Sequence, residues 1–412
     1  MNKYGMGEQE MSVKQWRSDR LSQLGSSIFA EVAQWKQEAA RSGLDIIDLG
    51  IGSPDKPPSA AVRKALSEAV LRDDVYAYPG SRGSIAFRQQ AAKWMKFRFG
   101  VELNVDEELV SLMGSQDGLA HLAIALCNAG DVVLVPDPGY PIYTAALALA
   151  GVEPVLMPLK KENGFLPDLD AVSEETWIRA KFILLNFPGN PVSAVADLAF
   201  FERVLNKARE HGVLVVHDAA YSEMAFDGYE PPSILEVSGA LEGAVEFHSL
   251  SKSFNMAGCR IGFLAGNRQA VGALRELKEN IDYGVFGAVQ EAGIVALEEA
   301  MSDAALPKAG RLYERRRDSF IEALRAEGWE VTKPKATMFL WASLPNMQWN
   351  MSDSWNSRRI SQEMLKQTGV VVVPGEAFGS EGEGYVRIAL VEDEERLIEA
   401  ARRIGKFIRG EF

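Results

Sequence analysis

The sequence predicts an α/β protein in which a large domain holds a mainly parallel central sheet and a smaller domain is α+β. From about residue 55 to residue 290, short apolar runs alternate with longer amphipathic stretches, an order typical of doubly wound sheets. After residue 290, a charged helical stretch comes first, and apolar runs then alternate with helices. The length of 412 residues, 47% of them hydrophobic, suffices for two or three buried cores.

The individual elements follow from these patterns. Seven strands are predicted in the first region, at residues 109–113, 132–135, 155–157, 182–186, 214–217, 245–248 and 261–265. Amphipathic helices are predicted between them, including 119–127, 198–211 and 270–278. The second region has a helix at 312–327, apolar runs at 338–341 and 370–373, and helices at 358–366 and 394–409. We expect a large domain at 50–290 and a small domain built from 1–49, with a helix near 29–39, and 291–412.

Composition and charge exclude several classes of protein. The 44 basic and 57 acidic residues give a formal net charge of −13, which argues against a nucleic-acid-binding protein. No run of about 18 apolar residues is present, so we expect no membrane-spanning helix. Residues 1–24 are polar and charged and lack the apolar core of a signal peptide, which favours a cytoplasmic location. Cys127 and Cys259 predict two reduced thiols rather than a disulfide scaffold or a metal site.

A lysine follows the predicted strand at 245–248. Lys252 lies among hydroxyl groups, including that of Ser249, and Arg260 follows eight residues later. A lysine amine attacks a carbonyl only when it is unprotonated, and a cationic neighbour or a dry pocket lowers its pKa. Hydroxyl groups beside an arginine are typical of a phosphate site. Taken alone, the segment is also compatible with a loop that exposes a lysine.

An aspartate follows the predicted strand at 214–217. The Asp218 carboxylate is costly to bury without a cationic partner, and a protonated pyridine nitrogen would be such a partner. Tyr221, three residues later, could contact a phenolic oxygen on the same ring. The alternative is that Asp218 caps the following helix.

Other strand ends carry weaker signals. Ser115 and Gln116 open a helix, whose free backbone N–H groups attract phosphate. Tyr140 could stack on a flat ring, although simple packing is the commoner explanation for a tyrosine in such a turn. Asn190 lies in a rigid turn, where turn chemistry is the default explanation. Arg387 lies in an apolar strand, and a buried arginine needs an anion from the protein or from a substrate.

Together, these segments supply a phosphate site, a stacking aromatic ring, an aspartate for a pyridine nitrogen, an amine and a carboxylate-binding arginine. This combination describes a pyridoxal phosphate site. From near residue 20 to the C-terminus, the chain resembles the fold-type I, class I and II pyridoxal-phosphate aminotransferases, and most of all their LL-diaminopimelate aminotransferase-like group. The segments that carry the resemblance are 76–83, 114–116, 138–141, 190–191, 217–221, 249–252, 258–260 and 384–387.

The resemblance implies a role for each candidate residue. Lys252 would form a Schiff base with pyridoxal phosphate and move the proton at the substrate Cα, while Asp218 would keep the ring nitrogen protonated. Asn190 and Tyr221 would hydrogen-bond to the phenolic oxygen, and Tyr140 would stack on the ring. The implied phosphate ligands are Ser115, Gln116, Ser249, Arg260 and, from the partner subunit of a homodimer, Tyr78. The implied substrate-binding residues are Gly52, Asn190 and Arg387, the last as the clamp for the α-carboxylate.

We therefore expect an aminotransferase with a ping-pong mechanism that uses an L-amino acid and a 2-oxo acid such as 2-oxoglutarate. The residues do not rank LL-diaminopimelate, alanine, aspartate and glutamate as substrates. Two departures from the family affect this choice: Val192-Ser193 where most relatives have Thr-Gly, and Ser26-Ser27 where they have Pro-Tyr. The alternatives are a lyase or decarboxylase that uses the same cofactor and fold, and a regulator, which would need an additional basic DNA-binding domain.

Overall fold

The apolar runs of the sequence form three sheets in the computed structural model, which describes residues 16–24, 28–302, 308–347 and 355–411. In chain order, the strands are β1 (Ile47–Asp48), β2 (Leu109–Leu112), β3 (Val132–Asp137), β4 (Glu153–Pro158), β5 (Ala180–Asn186), β6 (Leu214–Asp218), β7 (Ala244–Ser249), β8 (Gly262–Gly266), β9 (Phe339–Ser343), β10 (Val370–Val371), β11 (Val373–Pro374) and β12 (Tyr385–Ala389). Each of the seven runs predicted in the first region overlaps one strand, and the ends differ by at most two residues.

Helices connect and cover these strands. In chain order, they are α1 (Ile28–Arg41), α2 (Ala60–Ala69), α3 (Ile85–Phe99), α4 (Ser115–Leu126), α5 (Ile142–Ala150), α6 (Glu174–Arg179), α7 (Leu198–Glu210), α8 (Ala240–Gly243), α9 (Leu250–Ser253), α10 (Arg268–Ile281), α11 (Gly287–Ala300), α12 (Lys308–Ala326), α13 (Ser357–Thr368) and α14 (Glu394–Arg409). Within the described residues, no helix combines the length and the apolar character that crossing a bilayer requires. Cys127 and Cys259 both carry free thiols.

The largest sheet has seven strands in the order β2-β8-β7-β6-β5-β3-β4. Strands β7, β6, β5, β3 and β4 are mutually parallel, whereas β8 is antiparallel to both of its neighbours, β2 and β7. The central strands are buried along almost their whole length, as expected for a sheet covered on both faces. The predicted α/β class with a mainly parallel sheet is confirmed.

The run at 370–373 departs from the prediction of one strand. Val370 and Val371 pair in parallel with Ile47 and Asp48 of β1, whereas Val373 pairs with β12 in a different sheet. The valines of this run are all buried, so an apolar pattern cannot show that the chain passes from one sheet to another here.

The N-terminal helix α1 packs against the C-terminal part of the chain. Its buried residues Ile28, Val32 and Ala39 form one apolar cluster with Leu365 of α13 and Val371 of β10. The helix predicted near 29–39 is therefore present, and both ends of the chain contribute to one core.

Candidate active site

The carboxyl ends of the sheet strands border a cavity of about 460 Å³. All of the predicted site residues except Tyr78 line it: Gly52, Ser115, Gln116, Tyr140, Asn190, Asp218, Tyr221, Ser249, Lys252, Arg260 and Arg387. Strands β2, β5, β6 and β7 run in the same direction, and β8 begins where they end, so residues distant in sequence meet at one edge.

One end of the cavity is suited to an anion. Helix α4 begins at Ser115 without a side-chain cap, so its first backbone N–H groups remain available. The Arg260 guanidinium lies beside this helix start, since a Cβ added to Gly114 would meet Arg260 Nη2 at 2.6 Å. Likewise, a Cβ on Gly262 would approach the Ser115 backbone nitrogen to 3.2 Å. Ser249 lines the same cavity, and together these groups form an anion cradle of backbone N–H groups, a hydroxyl and a guanidinium, which are the donors that bind a phosphate.

Asp218 lies at the buried end of β6. Its Oδ2 accepts a hydrogen bond of 2.8 Å from the Tyr143 hydroxyl, and Oδ1 accepts one of 3.3 Å from the Ala220 backbone. Burial raises the pKa of this carboxyl above its ordinary value, against the opposing hydrogen bond from Tyr143. Within the described residues, no lysine or arginine forms an ion pair with Asp218. A protonated ring nitrogen would supply the missing cation.

Asn190, Tyr221 and Tyr140 surround the middle of the cavity. Burial raises the pKa of the Tyr221 phenol, and the neighbouring Asn190 side chain opposes that rise. The Tyr140 hydroxyl donates to Gln116 Oε1 over 3.3 Å, which joins the aromatic residue to the anion cradle. A planar ring in this space would have an aromatic neighbour and hydrogen-bond donors at its edge.

Lys252 lies in the short helix α9, and its side-chain amine donates a hydrogen bond to the Gly52 carbonyl. Its pKa is lowered to about 8, first by burial and then by the positive charges of Arg387 and Arg260. The sequence argument expected this effect from a dry pocket or from a cationic neighbour such as Arg260. Arg260 contributes, but burial and Arg387 contribute more.

Arg387 is a buried cation that forms no ion pair with an acidic side chain in the part of the chain that the structure describes. Its Nη1 donates to Asn190 Oδ1 over 3.0 Å and its Nη2 to the Gly50 carbonyl over 2.8 Å, while Nε has no partner among the described residues. The rings of Phe339 and Phe378 lie 4.3 and 4.9 Å from its Cζ, and burial lowers its pKa to about 10. A carboxylate entering from the cavity would neutralise this charge.

Tyr78 is the one predicted residue outside this cavity. Its side chain is 85% exposed, and its ring packs 4.9 Å from that of Tyr283. Within one chain, it does not reach the anion cradle.

The sequence argument missed several residues of the site. Tyr143, Asn186 and Ser251 all line the cavity. Asn186 donates to the Asp218 backbone carbonyl and accepts from the Asn190 backbone, so it holds two neighbouring strand ends together. Ser251 was within reach of sequence reasoning, because it lies in the hydroxyl-rich segment around Lys252. No pattern marked Tyr143, because its partner is 75 residues away in sequence.

The residues present fit pyridoxal phosphate in each of its parts. The cradle at α4 would hold the phosphate, Asp218 the ring nitrogen, Asn190 and Tyr221 the phenolic oxygen, and Lys252 the aldehyde carbon. The described residues contain no group of histidine, cysteine and acidic side chains arranged to hold a metal ion.

Comparison with known proteins agrees with this chemistry. The family described as aminotransferase class I and II matches residues 44–404. An LL-diaminopimelate aminotransferase of Trichormus variabilis is 44% identical over 386 residues, which are 93% of this chain and 97% of that protein. Substrate-bound BacF of Bacillus subtilis has a TM-score of 0.89 at 36% identity and covers 96% of this chain and 98% of its own. A probable N-succinyldiaminopimelate aminotransferase of Thermus thermophilus has a TM-score of 0.86 at 39% identity, and the match covers 92% of this chain and 100% of that one.

The family match spans most of the chain, and the Trichormus variabilis relative and the Thermus thermophilus structure, both named as aminotransferases, match along nearly their whole length. They do not favour the lyase or decarboxylase alternative. The chain therefore belongs to the class I and II aminotransferases and is a pyridoxal-phosphate-dependent transaminase of fold type I.

Proposed function

We propose that this aminotransferase takes the amino group of LL-diaminopimelate and passes it to a 2-oxo acid such as 2-oxoglutarate by a ping-pong mechanism. The relatives named for LL-diaminopimelate support this substrate. The departure at Val192-Ser193 does not count against it, because neither side chain lines the cavity. Ser193 adopts a φ of 54° and donates its hydroxyl to the Phe339 carbonyl over 2.9 Å. The departure at Ser26-Ser27 lies outside the described residues.

Three side chains carry the proposed chemistry, while the cofactor, when bound, would supply an electron-withdrawing ring that makes the substrate Cα–H bond acidic. Arg387 binds the substrate α-carboxylate through its free donors and so fixes the position of Cα. The pKa of Lys252, lowered to about 8, gives a larger neutral fraction near neutral pH than an ordinary lysine has, and this neutral amine moves the proton at Cα. The Asp218 carboxylate, which lines the same cavity, would keep a proton on the ring nitrogen of the bound cofactor.

The remaining predicted residues hold the cofactor. We assign the phosphate to Ser115, Gln116, Ser249 and Arg260, because these residues line the anion cradle. Asn190 and Tyr221 would bind the ring oxygen, Tyr140 would stack on the ring, and Gly52, beside Arg387, would line the space for the substrate.

The observation that carries the proposal is the meeting of Lys252, Asp218 and Arg387 in one cavity. We expect LL-diaminopimelate alone to yield one equivalent of oxo acid per active site and to convert the cofactor to its amine form. Release of ammonia or carbon dioxide over many turnovers would instead indicate a lyase or decarboxylase. Lack of reaction with LL-diaminopimelate, beside reaction with alanine, aspartate or glutamate, would reject the substrate proposal but leave the aminotransferase.

A homodimer in which Tyr78 completes the partner's phosphate site is part of the proposal. Large apolar side chains are exposed around Tyr78, including Leu71 at 83%, Tyr76 at 66% and Tyr283 at 63%. Exposed apolar patches of this kind on a globular protein mark interaction surfaces. A second copy of the chain would cover them and bring Tyr78 to the other anion cradle.

Mixing two inactive variants tests this arrangement. Lys252→Ala removes the amine of one site, and Tyr78→Ala removes the phenol that the partner receives. Mixed dimers would contain one site with both native residues, so activity at limiting cofactor should return after the two variants are unfolded and refolded together. If mixing restores no activity although mixed dimers form, Tyr78 does not act across the interface.

The division into a large domain at 50–290 and a small domain from 1–49 and 291–412 also belongs to this proposal. Pairing of β1 with β10 and the apolar cluster of α1 with α13 support it. Limited proteolysis near residues 50 and 290 should then release fragments that remain associated through the composite small domain.

A further inference from the structure

The cavity continues beyond Arg387 along one face of α1. Phe29, Val32, Ala33 and Lys36 line it, and their spacing of three and four residues places them on the same side of the helix. Phe29 lies at the Arg387 end, where its ring centroid is 5.7 Å from the guanidinium carbon. Lys36 is seven residues further, roughly 10 Å along the helix axis.

Lys36 is paired with Asp48 at the far end of this face. Lys36 Nζ lies 2.8 Å from Asp48 Oδ2, and the side chains are 37% and 15% exposed. Asp48 Oδ1 accepts from the Gly50 backbone nitrogen over 3.0 Å, and the Gly50 carbonyl accepts from Arg387. Gly50 therefore connects the Lys36–Asp48 ion pair to Arg387, the residue proposed to bind the substrate α-carboxylate.

Lys36 and Asp48 are the two charged residues of the cavity lining that have no role in the proposed transamination. Asp48 and Asp218 are the only carboxylates among the described residues that line the cavity, and Asp218 faces the position of the cofactor ring. Of the lining cations, Lys252, Arg260 and Arg387 already have roles, which leaves Lys36. An ion pair that is partly exposed costs little to open, so both charges can be offered to a ligand.

We infer that Lys36 and Asp48 bind the distal end of a long amino acid that carries both a carboxylate and an ammonium group there. Lys36 receives the distal carboxylate, Asp48 receives the distal ammonium, and the apolar wall of Val32, Ala33 and Ile51 contacts the methylene groups between the two ends. A diaminopimelate fits this description, so the inference rests on the proposed function for the identity of its ligand.

A series of four substrates separates the two charges. LL-diaminopimelate carries both distal groups, L-2-aminoadipate only the carboxylate, L-lysine only the ammonium, and L-norleucine neither. For each variant, the measured quantity is kcat/KM for a charged substrate divided by kcat/KM for norleucine. This ratio cancels a general loss of fold or of cofactor.

Lys36→Gln should lower the ratio about ten- to hundredfold for diaminopimelate and aminoadipate, through KM rather than kcat, and should leave the ratio for lysine unchanged. Asp48→Asn should lower the ratio for diaminopimelate and lysine and leave that for aminoadipate unchanged. Lys96→Gln is the matched control. It breaks a lysine–carboxylate pair in which Lys96 Nζ lies 2.6 Å from Glu102 Oε1, and neither residue lines the cavity.

The inference would be overturned by ratios that do not change, whether no substrate is affected or all four lose activity equally, as for a pair that only joins α1 to β1. The proposed function can fail separately. If the native enzyme ignores diaminopimelate while Lys36→Gln still discriminates against aminoadipate and Asp48→Asn against lysine, the substrate proposal is wrong and the inference stands.

Discussion

Lys252 combines burial with two cationic neighbours, and its pKa of about 8 sets when its amine is reactive. Because only the neutral amine attacks a carbonyl, the enzyme freed of cofactor should capture pyridoxal phosphate faster as pH rises. The rate should increase about tenfold per pH unit well below 8 and level off above it. Stopped-flow absorbance between pH 6 and 10 measures this profile.

Replacing Arg387 tests the cause of the lowered Lys252 pKa that this profile measures. It is the larger of the two cationic contributions, so Arg387→Gln should raise the pKa of Lys252 and move the midpoint to higher pH. Arg179→Gln, at a surface pair with Glu153, should leave the midpoint in place. A native midpoint near the ordinary lysine value would contradict the burial argument.

Tyr143 is the neighbour that keeps Asp218 ionisable despite its burial. Its hydrogen bond opposes the rise in pKa that burial causes, so Tyr143→Phe should raise the pKa of Asp218 further. Asp218 would then be anionic only at higher pH. The acid limb of the kcat profile should therefore move upward, with about a tenfold loss of kcat at pH 7.

Tyr229→Phe is a suitable comparison for this change. It removes a hydroxyl that donates to the Ala196 carbonyl over 2.7 Å, outside the active-site cavity. We expect it to leave the pH profile unchanged. A loss of kcat in Tyr143→Phe with no movement of the acid limb would show that Tyr143 does not act through Asp218.

At the scale of elements, strand direction explains why so much of the site could be predicted. Asp218 and Ser249 are the last residues of β6 and β7, which are neighbouring parallel strands. Recognising these strands in the sequence was therefore enough to predict that the two residues lie close together. The phenol of Tyr143 was not predictable in this way. It projects from α5, and whether a helix side chain reaches a strand end depends on packing that alternation of elements does not specify.

A buried lysine couples two other elements. Lys278 on α10 has no exposed side-chain surface and lies 2.6 Å from Asp117 of α4 and 2.8 Å from Asp282. Asp117 also accepts from the Met113 backbone, beside the anion cradle. Lys278→Met would leave these carboxylates without their cation and should lower the free energy of unfolding by about 3 kcal/mol.

The same variant should weaken cofactor binding, because the start of α4 loses its support. Urea titration of the enzyme without cofactor and a cofactor binding isotherm measure the two effects. Lys64→Met is the control: its exposed pair with Glu68 spans 3.7 Å and should change stability by no more than about 0.5 kcal/mol. If Lys278→Met and Lys64→Met have the same free energy of unfolding, Lys278 does not stabilise the contact between α10 and α4.

At the scale of the whole molecule, the site needs both ends of the chain. Phe29 comes from α1, Lys252 from the large sheet region and Arg387 from β12, and all three line one cavity. The sequence marked Lys252 and Arg387 by their chemistry, but Phe29 was visible only as part of an apolar helix face. The net charge of −13 argued against a nucleic-acid-binding protein but gave no sign of this buried cationic pocket.

Asp137 connects the large sheet to the loop that covers Arg387. At the end of β3, its Oδ2 accepts from the Ser380 hydroxyl over 2.8 Å, and Gly139 donates its backbone N–H to the Phe378 carbonyl over 2.7 Å. The Phe378 ring in turn lies over Arg387. Loss of the Asp137 carboxylate should free this loop and admit water beside the guanidinium, which weakens its attraction for a carboxylate.

Asp137→Ala should therefore raise KM for the amino acid and the oxo acid together, by about tenfold, while the cofactor dissociation constant changes less than twofold. Steady-state kinetics with both substrates and a cofactor titration distinguish these effects. Ser380→Ala removes only one of the hydrogen bonds and should give a smaller change in the same direction. If KM is unaffected, or if cofactor affinity falls by as much as substrate affinity, Asp137 does not act through the loop over Arg387.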